Sequence, residues 1–265
     1  MMMNNTLAQL RALKLPGMVA AIEEQLCSSA SSTLCFEERL ALMVDREVHN
    51  RGDKKRAALL KRAKLKYPQA CIEDVDSRPG RGFERPALMS LALSRWVEEG
   101  QAILITGATG SGKSWLGCAL AQHACRRGHS ALYLRTPRLA EELRILHGNG
   151  DFKRWLTALA RTDVLVLDDW GLAALDGAAR SDLLEVIDDR AGTRATIVTS
   201  QLPLDHWHAW IGDATIADAI LDRLLSNSHR LALKGKSLRP QRRPAEAVEQ
   251  HDAAGPAVDS STPRK

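Results

Sequence analysis

Residues 101–114 read QAILITGATGSGKS. The apolar residues 103–105 are typical of a buried strand, and the stretch from Ser114 to Arg127 is typical of a helix. Between them, residues 107–114 match the pattern G-x-x-x-x-G-K-[ST] at every position. A strand, a glycine-rich loop and a helix in direct succession predict a phosphate-binding loop at the carboxyl edge of a parallel sheet. The alternative is a glycine-rich turn without a ligand.

The residue types in this loop suit the binding of a nucleotide. Its three glycines allow positive φ angles, so that successive N–H groups can face a phosphate. Lys113 supplies positive charge for the β- and γ-phosphates, and the Ser114 hydroxyl can bind Mg²⁺. The helix that follows directs its positive end toward the same phosphates. The predicted nucleotide-binding residues are Gly107, Ala108, Thr109, Gly110, Ser111, Gly112, Lys113 and Ser114.

Two adjacent carboxylates follow a second apolar, strand-like run. Residues 164–169 read VLVLDD and end in Asp168 and Asp169. Acidic side chains at the tip of a buried strand are typical of P-loop ATPases, where they hold Mg²⁺ and orient the attacking water. We therefore assign Asp168 to the Mg²⁺ site, together with Ser114, and Asp169 to the polarisation of the water. The alternative is a solvated strand end.

Two further polar residues are candidates for catalysis. Gln201 follows the next strand-like run, whose tip would lie between the phosphate loop and the Asp168 strand. Its amide could bind the water or the γ-phosphate there, and an ordinary polar turn is the alternative. Arg223 lies on a predicted helix, from which it could reach the γ-phosphate of a neighbouring subunit as an arginine finger. A salt bridge on the helix surface is equally consistent with the sequence.

The composition indicates a globular chain. Its 265 residues with 45% hydrophobic content are enough for one large domain or two modest ones. No apolar run approaches the roughly 18–20 residues that span a bilayer, and the amino terminus lacks a signal-peptide pattern. We therefore expect a cytoplasmic protein without membrane contact. The five cysteines form no C-x-x-C pair, which predicts reduced thiols and neither a metal site nor a disulfide framework.

Positive charge is concentrated in one segment of the chain. Residues 46–66 contain nine Lys or Arg against two acidic residues, whereas the net charge of the whole chain is only +5. Such a local excess favours contact with a polyanion such as DNA, and a solvated helix face is the alternative. The predicted DNA-contact residues are Arg51, Lys54, Lys55, Arg56, Lys61, Arg62, Lys64 and Lys66.

The order of predicted elements divides the chain into four parts. Residues 1–70 form a small helical domain, residues 71–100 a linker with a lead-in helix at 87–99, residues 101–239 alternating strands and helices, and residues 240–265 a disordered tail. The alternation predicts an α/β fold with a parallel five-stranded sheet covered by helices on both faces. The strands are expected at residues 102–106, 130–134, 163–167, 195–199 and 229–233.

The amino-terminal part contains one especially long helical pattern, from residue 36 to about residue 66. Leu40, Met43, Val44 and Val48 fall on one stripe of it. Residues 50–52, which end in a glycine, could interrupt the helix and divide it into two stacked ones.

In the order and spacing of its motifs, the chain resembles the IstB-like family over about residues 6–239. The resemblance rests on the phosphate loop GATGSGKS, the strand VLVLDDWG, the turn TSQLP, the ending ILDRLLSNSHRLALKGKSLR and the helical start LKLPGM…FEERLALMVDRE. These proteins are ATPase helpers of an insertion-sequence class, related to DnaC-type helicase loaders within the AAA+ superfamily. The resemblance implies an AAA+ core, binding of ATP and Mg²⁺, ATP hydrolysis, a homo-oligomer (ring or spiral) on double-stranded DNA, and a cognate transposase as partner.

The resemblance also implies roles for individual residues. Lys113 and Ser114 take the Walker A roles, and Asp168 takes the Walker B metal role. Asp169 stands where most AAA+ proteins have a catalytic Glu, which places the carboxylate about one methylene farther from the water. Gln201 stands at the sensor position, where helicase loaders more often carry Asn. Arg223, in the sequence D-R-L, matches the arginine finger of the family.

Two functions remain open on the sequence. The leading one is a DNA-binding AAA+ ATPase that assists a transposase in selecting target DNA, because the long basic segment favours direct binding to a duplex. The alternative is a DnaC-like replicative helicase loader, which would carry a helicase-docking surface that the sequence does not reveal. A small-molecule kinase would need an acceptor pocket and usually an Arg-bearing lid, and neither is evident.

Overall fold

A computed structural model describes residues 2–78, 80–235 and 237–238 of the chain. An amino-terminal helical region precedes an α/β core with a five-stranded parallel sheet, which confirms the predicted fold class. The predicted tail at residues 240–265 lies outside the described residues. The division into domains stays a prediction.

The helices and strands alternate in the order that the sequence predicts. The amino-terminal region contains α1 (Met2–Ala12), α2 (Pro16–Cys27), α3 (Phe36–Ala63), α4 (Arg85–Ala92) and α5 (Arg95–Glu98). The core contains β1 (Ala102–Gly107), α6 (Lys113–Arg126), β2 (Ala131–Arg135), α7 (Thr136–Gly148), α8 (Phe152–Ala160), β3 (Val164–Trp170), α9 (Gly177–Asp188), β4 (Ala195–Ser200), α10 (Trp207–Ile211), α11 (Ala214–Leu225) and β5 (Ser228–Leu233). Short 3-10 turns lie at Ser29–Thr33, Ile72–Asp74 and Leu204–His206.

The five strands lie in the order β2-β3-β4-β1-β5, and all neighbours are parallel. Alternate residues of β1 enter two separate cores: Ile103 and Ile105 pack with Leu116 of α6, whereas Leu104 packs with Leu183 of α9 and Ile220 of α11. Because both faces of the sheet are covered, its central strands are apolar along their length. The tip of β4 lies between β3 and β1, as predicted from the sequence.

Two helices differ from their predicted form. Residues 50–52 do not interrupt α3, which is one continuous helix, because a single interior glycine costs only about 1 kcal/mol. The apolar stripe of α3 exists, but Leu40, Val44 and Val48 are exposed and are not part of a core. The predicted lead-in helix is broken into α4 and α5 at Ser94, which has a φ of 62°.

The α2–α3 pair is held together by a close backbone approach. The side chain of Glu47, on α3, is buried, and its Oε2 atom accepts hydrogen bonds from the N–H groups of Gly17 (2.7 Å) and Met18 (3.3 Å) at the start of α2. A Cβ atom on Gly17 would lie 2.6 Å from the Cα atom of Glu47. The glycine is therefore required by the packing of the two helices.

The carboxyl end of α3 is fixed to the α/β core. Ala63, Leu65 and Ala70 are buried in the same apolar cluster as Leu116 and Cys118 of α6, the helix that follows the phosphate loop. The segment after α3 is therefore positioned relative to the residues of that loop.

Candidate nucleotide-binding site

The phosphate loop connects β1 to α6. Its glycines Gly107, Gly110 and Gly112 have φ angles of 149°, 82° and 98°, a region that favours glycine. Lys113 is buried, and its Nζ atom donates a hydrogen bond to the carbonyl oxygen of Ala108 at 2.9 Å, so that the side chain lies across the loop. The hydroxyl of Ser111 is buried without a hydrogen-bond partner within the described part of the chain. Such a group fits a loop that binds an external ligand.

Asp168, at the end of β3, is fully buried among hydrogen-bond donors. Its Oδ1 atom accepts hydrogen bonds from the hydroxyls of Ser114 (2.6 Å) and Thr199, and its Oδ2 atom accepts one from the hydroxyl of Tyr133. The Nζ atom of Lys66 lies 3.6 Å from Oδ2. Residues from four separate segments therefore converge on one carboxylate.

These neighbours decide the charge of Asp168. Burial by itself would raise the pKa of the carboxyl, but the hydrogen bonds from Ser114, Thr199 and Tyr133 and the charge of Lys66 hold the pKa below its ordinary value. Asp168 is therefore an anion at neutral pH. Burial and the hydrogen bond to Asp168 raise the pKa of the Tyr133 hydroxyl, which remains a donor.

Asp169 lies at an irregularity of β3. The register between β3 and β4 shifts after Leu167, and Asp169 has a φ of 60°, which is uncommon for a residue other than glycine. Its Oδ2 atom accepts two hydrogen bonds from Arg135, at 3.0 Å from Nε and 2.7 Å from Nη2. Asp168 is fully buried, whereas Asp169 lines the same cavity as the phosphate loop.

Gln201 follows the tip of β4 and contacts the phosphate loop directly. Its Oε1 atom accepts a hydrogen bond from the hydroxyl of Thr109 at 2.6 Å. The structure therefore brings the predicted sensor amide to the loop, beside Asp169 in one cavity.

A cavity of about 470 Å³ adjoins these residues. It lies within the usual size range of small-molecule sites. The phosphate-loop residues from Thr109 to Ser114 line it together with Asp169 and Gln201, whereas Tyr67 and Phe83 add aromatic surface. The cavity thus combines a polar, phosphate-compatible part with a part suited to a planar base.

Two segments distant in sequence hold the loop from outside. Arg81 donates a hydrogen bond from Nη2 to the carbonyl oxygen of Ser111 at 2.8 Å. The N–H group of Leu238, beyond β5, donates to the carbonyl oxygen of Gly110 at 2.9 Å. Both segments also line the cavity, so that access to the loop depends on them.

The donor set fits a magnesium ion. Mg²⁺ prefers oxygen ligands, usually a hydroxyl, a carboxylate and the phosphates of the nucleotide itself. The hydroxyl of Ser114 and the anionic carboxylate of Asp168 lie side by side, as such a site requires. No cluster of three or more His, Cys, Asp or Glu side chains suited to a metal occurs among the described residues.

Arg223 lies away from the phosphate loop of its own chain. It adjoins a small cavity with Ala102 and Thr196, near the amino ends of β1 and β4, whereas the loop follows the carboxyl end of β1. Arg223 forms an ion pair with Asp188 and donates a hydrogen bond to the carbonyl oxygen of Ala219 at 2.9 Å. The salt bridge that the sequence left open is therefore present, and Arg223 is not part of the nucleotide site of its own chain.

The basic residues of the predicted DNA surface fall into three groups. Arg51 pairs with Glu47, and Arg56 pairs with Asp53. Lys66 lies apart from the others, because its ammonium group contacts Asp168 in the nucleotide site. The remaining residues are all exposed along the carboxyl half of α3 and at its end, namely Lys54, Lys55, Lys61, Arg62 and Lys64.

Four residues of the site were not among the predicted functional residues, and a fifth, Lys66, was predicted to contact DNA instead. Tyr133 and Arg135 contact the two carboxylates from β2, Thr199 contacts Asp168 from β4, and Arg81 contacts the loop from the linker. Polar residues at the carboxyl ends of predicted strands were a usable signal for the first three, because such ends meet at one edge of the sheet. Nothing in the sequence near Arg81 indicated its contact.

A parallel sheet of this order, with a phosphate loop after β1 and two carboxylates at the end of β3, defines a P-loop core of the AAA+ type. The chain belongs to the IstB-like ATP binding protein family, which matches residues 8–246. It thereby belongs to an ATP-binding family, in agreement with the resemblance drawn from the motifs.

Individual relatives support the same family. The insertion sequence IS1162 ATP-binding protein of Pseudomonas fluorescens is 57% identical over 77% of this chain and 88% of its own length. An insertion sequence ATP-binding protein of Sinorhizobium fredii is 46% identical over 92% of this chain and 99% of its own length. The crystal structure of the DnaC helicase loader has a TM-score of 0.53 at 22% identity, covering 63% of this chain and 98% of that one, which shows a shared fold.

No helix within the described ranges combines the length and the apolar character that crossing a bilayer requires.

Proposed function

We propose that this chain binds ATP with Mg²⁺ and hydrolyses it. The observation that carries the proposal is that Lys113, Ser114, Asp169 and Gln201 line one cavity. The buried carboxylate of Asp168 adjoins it through the hydrogen bond that it accepts from Ser114. Lys113 would bind the β- and γ-phosphates. Ser114 and Asp168 would hold the Mg²⁺, which supplies charge neutralisation for the phosphates. Asp169 and Gln201 would orient the attacking water.

We further propose that the ATPase assembles as a ring or spiral on double-stranded DNA and assists its cognate transposase in selecting target DNA. The insertion-sequence relatives favour this function over that of a DnaC-like helicase loader, with which only the fold is shared. The exposed lysines and arginines of α3 support contact with phosphates of a duplex. The exposed apolar stripe of α3 supports contact with a protein partner, because exposed apolar patches mark interaction sites.

Nucleotide titration of Lys113→Ala tests the site. We expect the variant to lose ATP binding and hydrolysis but to remain folded, because the contact of Lys113 with Ala108 lies within the loop and a hydrogen bond contributes only about 1 kcal/mol to stability. Urea unfolding checks that the variant is folded. Lys153→Ala is the matched control, since Lys153 is an exposed lysine on α8. Unchanged affinity and turnover in a folded Lys113→Ala protein would refute the site. A transposase gene directly upstream would support the helper function, and a replication operon would support the loader.

A further inference from the structure

We infer that Lys66 is an internal counter-ion that takes the place of Mg²⁺ at Asp168. The inference rests on the proposed nucleotide site and adds a residue to it. Lys66 lies in the segment directly after α3, and its ammonium group is 3.6 Å from Oδ2 of Asp168. Its side chain is 35% exposed, whereas that of Asp168 is fully buried. The ammonium group is thus at the edge of the site and can leave, while the carboxylate cannot.

The backbone around Lys66 is fixed, so the contact is not that of a free surface side chain. Lys64 ends α3 in the left-handed conformation, with a φ of 51°, and Leu65 is buried. Ala70, a few residues later, is also buried in the core shared with α6. The chain therefore presents Lys66 toward the cavity, where it lines the wall together with Lys113 and Ser114.

The charge balance of the site explains what such a lysine does. The Asp168 carboxylate is an anion beside a loop built for phosphates, and like charges at short range repel. Mg²⁺ held by Ser114 and Asp168 would supply positive charge that offsets this repulsion. Without Mg²⁺, the ammonium group of Lys66 offsets it instead. With Mg²⁺ held at Asp168, the contact of Lys66 would weaken, because the metal would supply the positive charge in its place.

The contribution of Lys66 to nucleotide affinity therefore depends on the metal. The contribution of a residue that only supports the fold would not. Lys66 supports nucleotide binding most in the absence of Mg²⁺ and least in its presence. Lys66 lies three residues beyond the carboxyl end of α3, the helix that carries the exposed basic residues. Replacement of Lys66 by the metal at Asp168 would therefore change a contact next to this helix. The nucleotide site is thereby linked to the surface that carries the exposed basic residues.

The experiment compares nucleotide affinity with and without metal. Full-length wild type, Lys66→Met, Lys66→Arg and the control Lys153→Met are titrated with a fluorescent, non-hydrolysable ATP analogue in excess Mg²⁺ and in EDTA. For Lys66→Met we expect the dissociation constant in EDTA to rise about threefold, the size expected for a partly exposed ion pair, with little change in Mg²⁺. The ratio of the two constants therefore rises about threefold. Lys66→Arg, which keeps the charge, and Lys153→Met should retain the wild-type ratio.

Two results would overturn the inference. An unchanged ratio with both constants unaltered would mean that Lys66 has no part in the site. An unchanged ratio with both constants raised together would mean that Lys66 only supports the fold, and thermal unfolding of the variant would then show a matching decrease in stability. If the wild-type protein bound the analogue neither in Mg²⁺ nor in EDTA, the result would contradict the proposed nucleotide-binding function, and this inference would be wrong as well.

Discussion

Arg135, at the end of β2, donates two hydrogen bonds to a single carboxylate oxygen of Asp169, at 3.0 and 2.7 Å. Asp169 is the residue that we expect to orient the attacking water. Arg135 thereby uses the acceptor capacity of Oδ2 and leaves only Oδ1 to accept a hydrogen bond from the water. We therefore expect the ion pair with Arg135 to restrain Asp169 and to slow hydrolysis.

Replacing Arg135 by Met should release this restraint. We expect ATP affinity to stay the same and the turnover of the isolated protein to rise about threefold or more, because both Asp169 oxygens become acceptors. Arg138→Met, which removes an exposed arginine of α7, should change neither. Asp169→Asn should bind ATP and hydrolyse it at least about 100-fold more slowly. A decrease of turnover in Arg135→Met, measured by phosphate release, would show instead that Arg135 holds Asp169 in its productive position.

Mixing two inactive variants should restore activity if Arg223 acts across a subunit interface. Arg223→Ala leaves the phosphate loop intact, and Lys113→Ala leaves the arginine intact, so mixed assemblies contain some interfaces with both groups. Partial recovery of ATPase activity on DNA is the expected result. A mixture that co-assembles but stays inactive would contradict it.

Asp188 provides the control for this experiment, because it is the intrachain partner of Arg223. Asp188→Asn removes the ion pair but keeps the arginine. If Arg223 acts on a neighbouring nucleotide, Asp188→Asn should retain most of its turnover. If its turnover fell as far as that of Arg223→Ala, the ion pair itself would be the function of Arg223.

The exposed basic residues of α3 should determine the salt dependence of duplex binding. Replacing Lys54 and Lys55 by Ala should lower the slope of log affinity against log salt by about 0.9 for each DNA phosphate that the variant no longer neutralises. The control replaces Arg138 and Lys153, two exposed basic residues of the core, by Ala. Fluorescence anisotropy at several salt concentrations measures both slopes. A reduced slope in the control alone would place the DNA on the core and not on α3.

Gly17→Ala should destabilise the helical region. The new Cβ atom would lie 2.6 Å from the Cα atom of Glu47, so the two helices must separate at a cost of about 1–3 kcal/mol. Gly148→Ala is the matched control, because Gly148 lies in α7 with no atom within 4 Å of the new Cβ, and its effect should stay within about 1 kcal/mol. Urea unfolding of both variants makes the comparison. Equal stability of the two would show that α2 and α3 can separate freely at this point.

The fold class, the position of the phosphate loop and the strand that carries Asp168 and Asp169 could all be predicted from the sequence alone. These features depend on residues close together in the chain: an apolar run, a glycine-rich loop, and a regular alternation of strand and helix patterns. Steric and hydrogen-bonding preferences act over a few residues, so such patterns can be recognised without knowing what packs against them. The exposure of Leu40, Val44 and Val48 could not be recognised in this way, because an apolar stripe indicates one face of a helix but not what packs against that face.

Contacts between residues that are distant in the sequence could not be predicted in this way, because they depend on the packing of the whole fold. Tyr133, Thr199 and Lys66 reach Asp168 from three separate segments, and their contact depends on strand order and on the packing of the α3 end against α6. Lys66 shows the limit most clearly, because its sequence neighbours made it one basic residue among several on a predicted DNA surface. Its charge is instead directed into the nucleotide site, since Leu65 beside it is buried and fixes the course of the chain. The sequence shows which charged side chains are present, but the packing of the fold determines which partner each of them contacts.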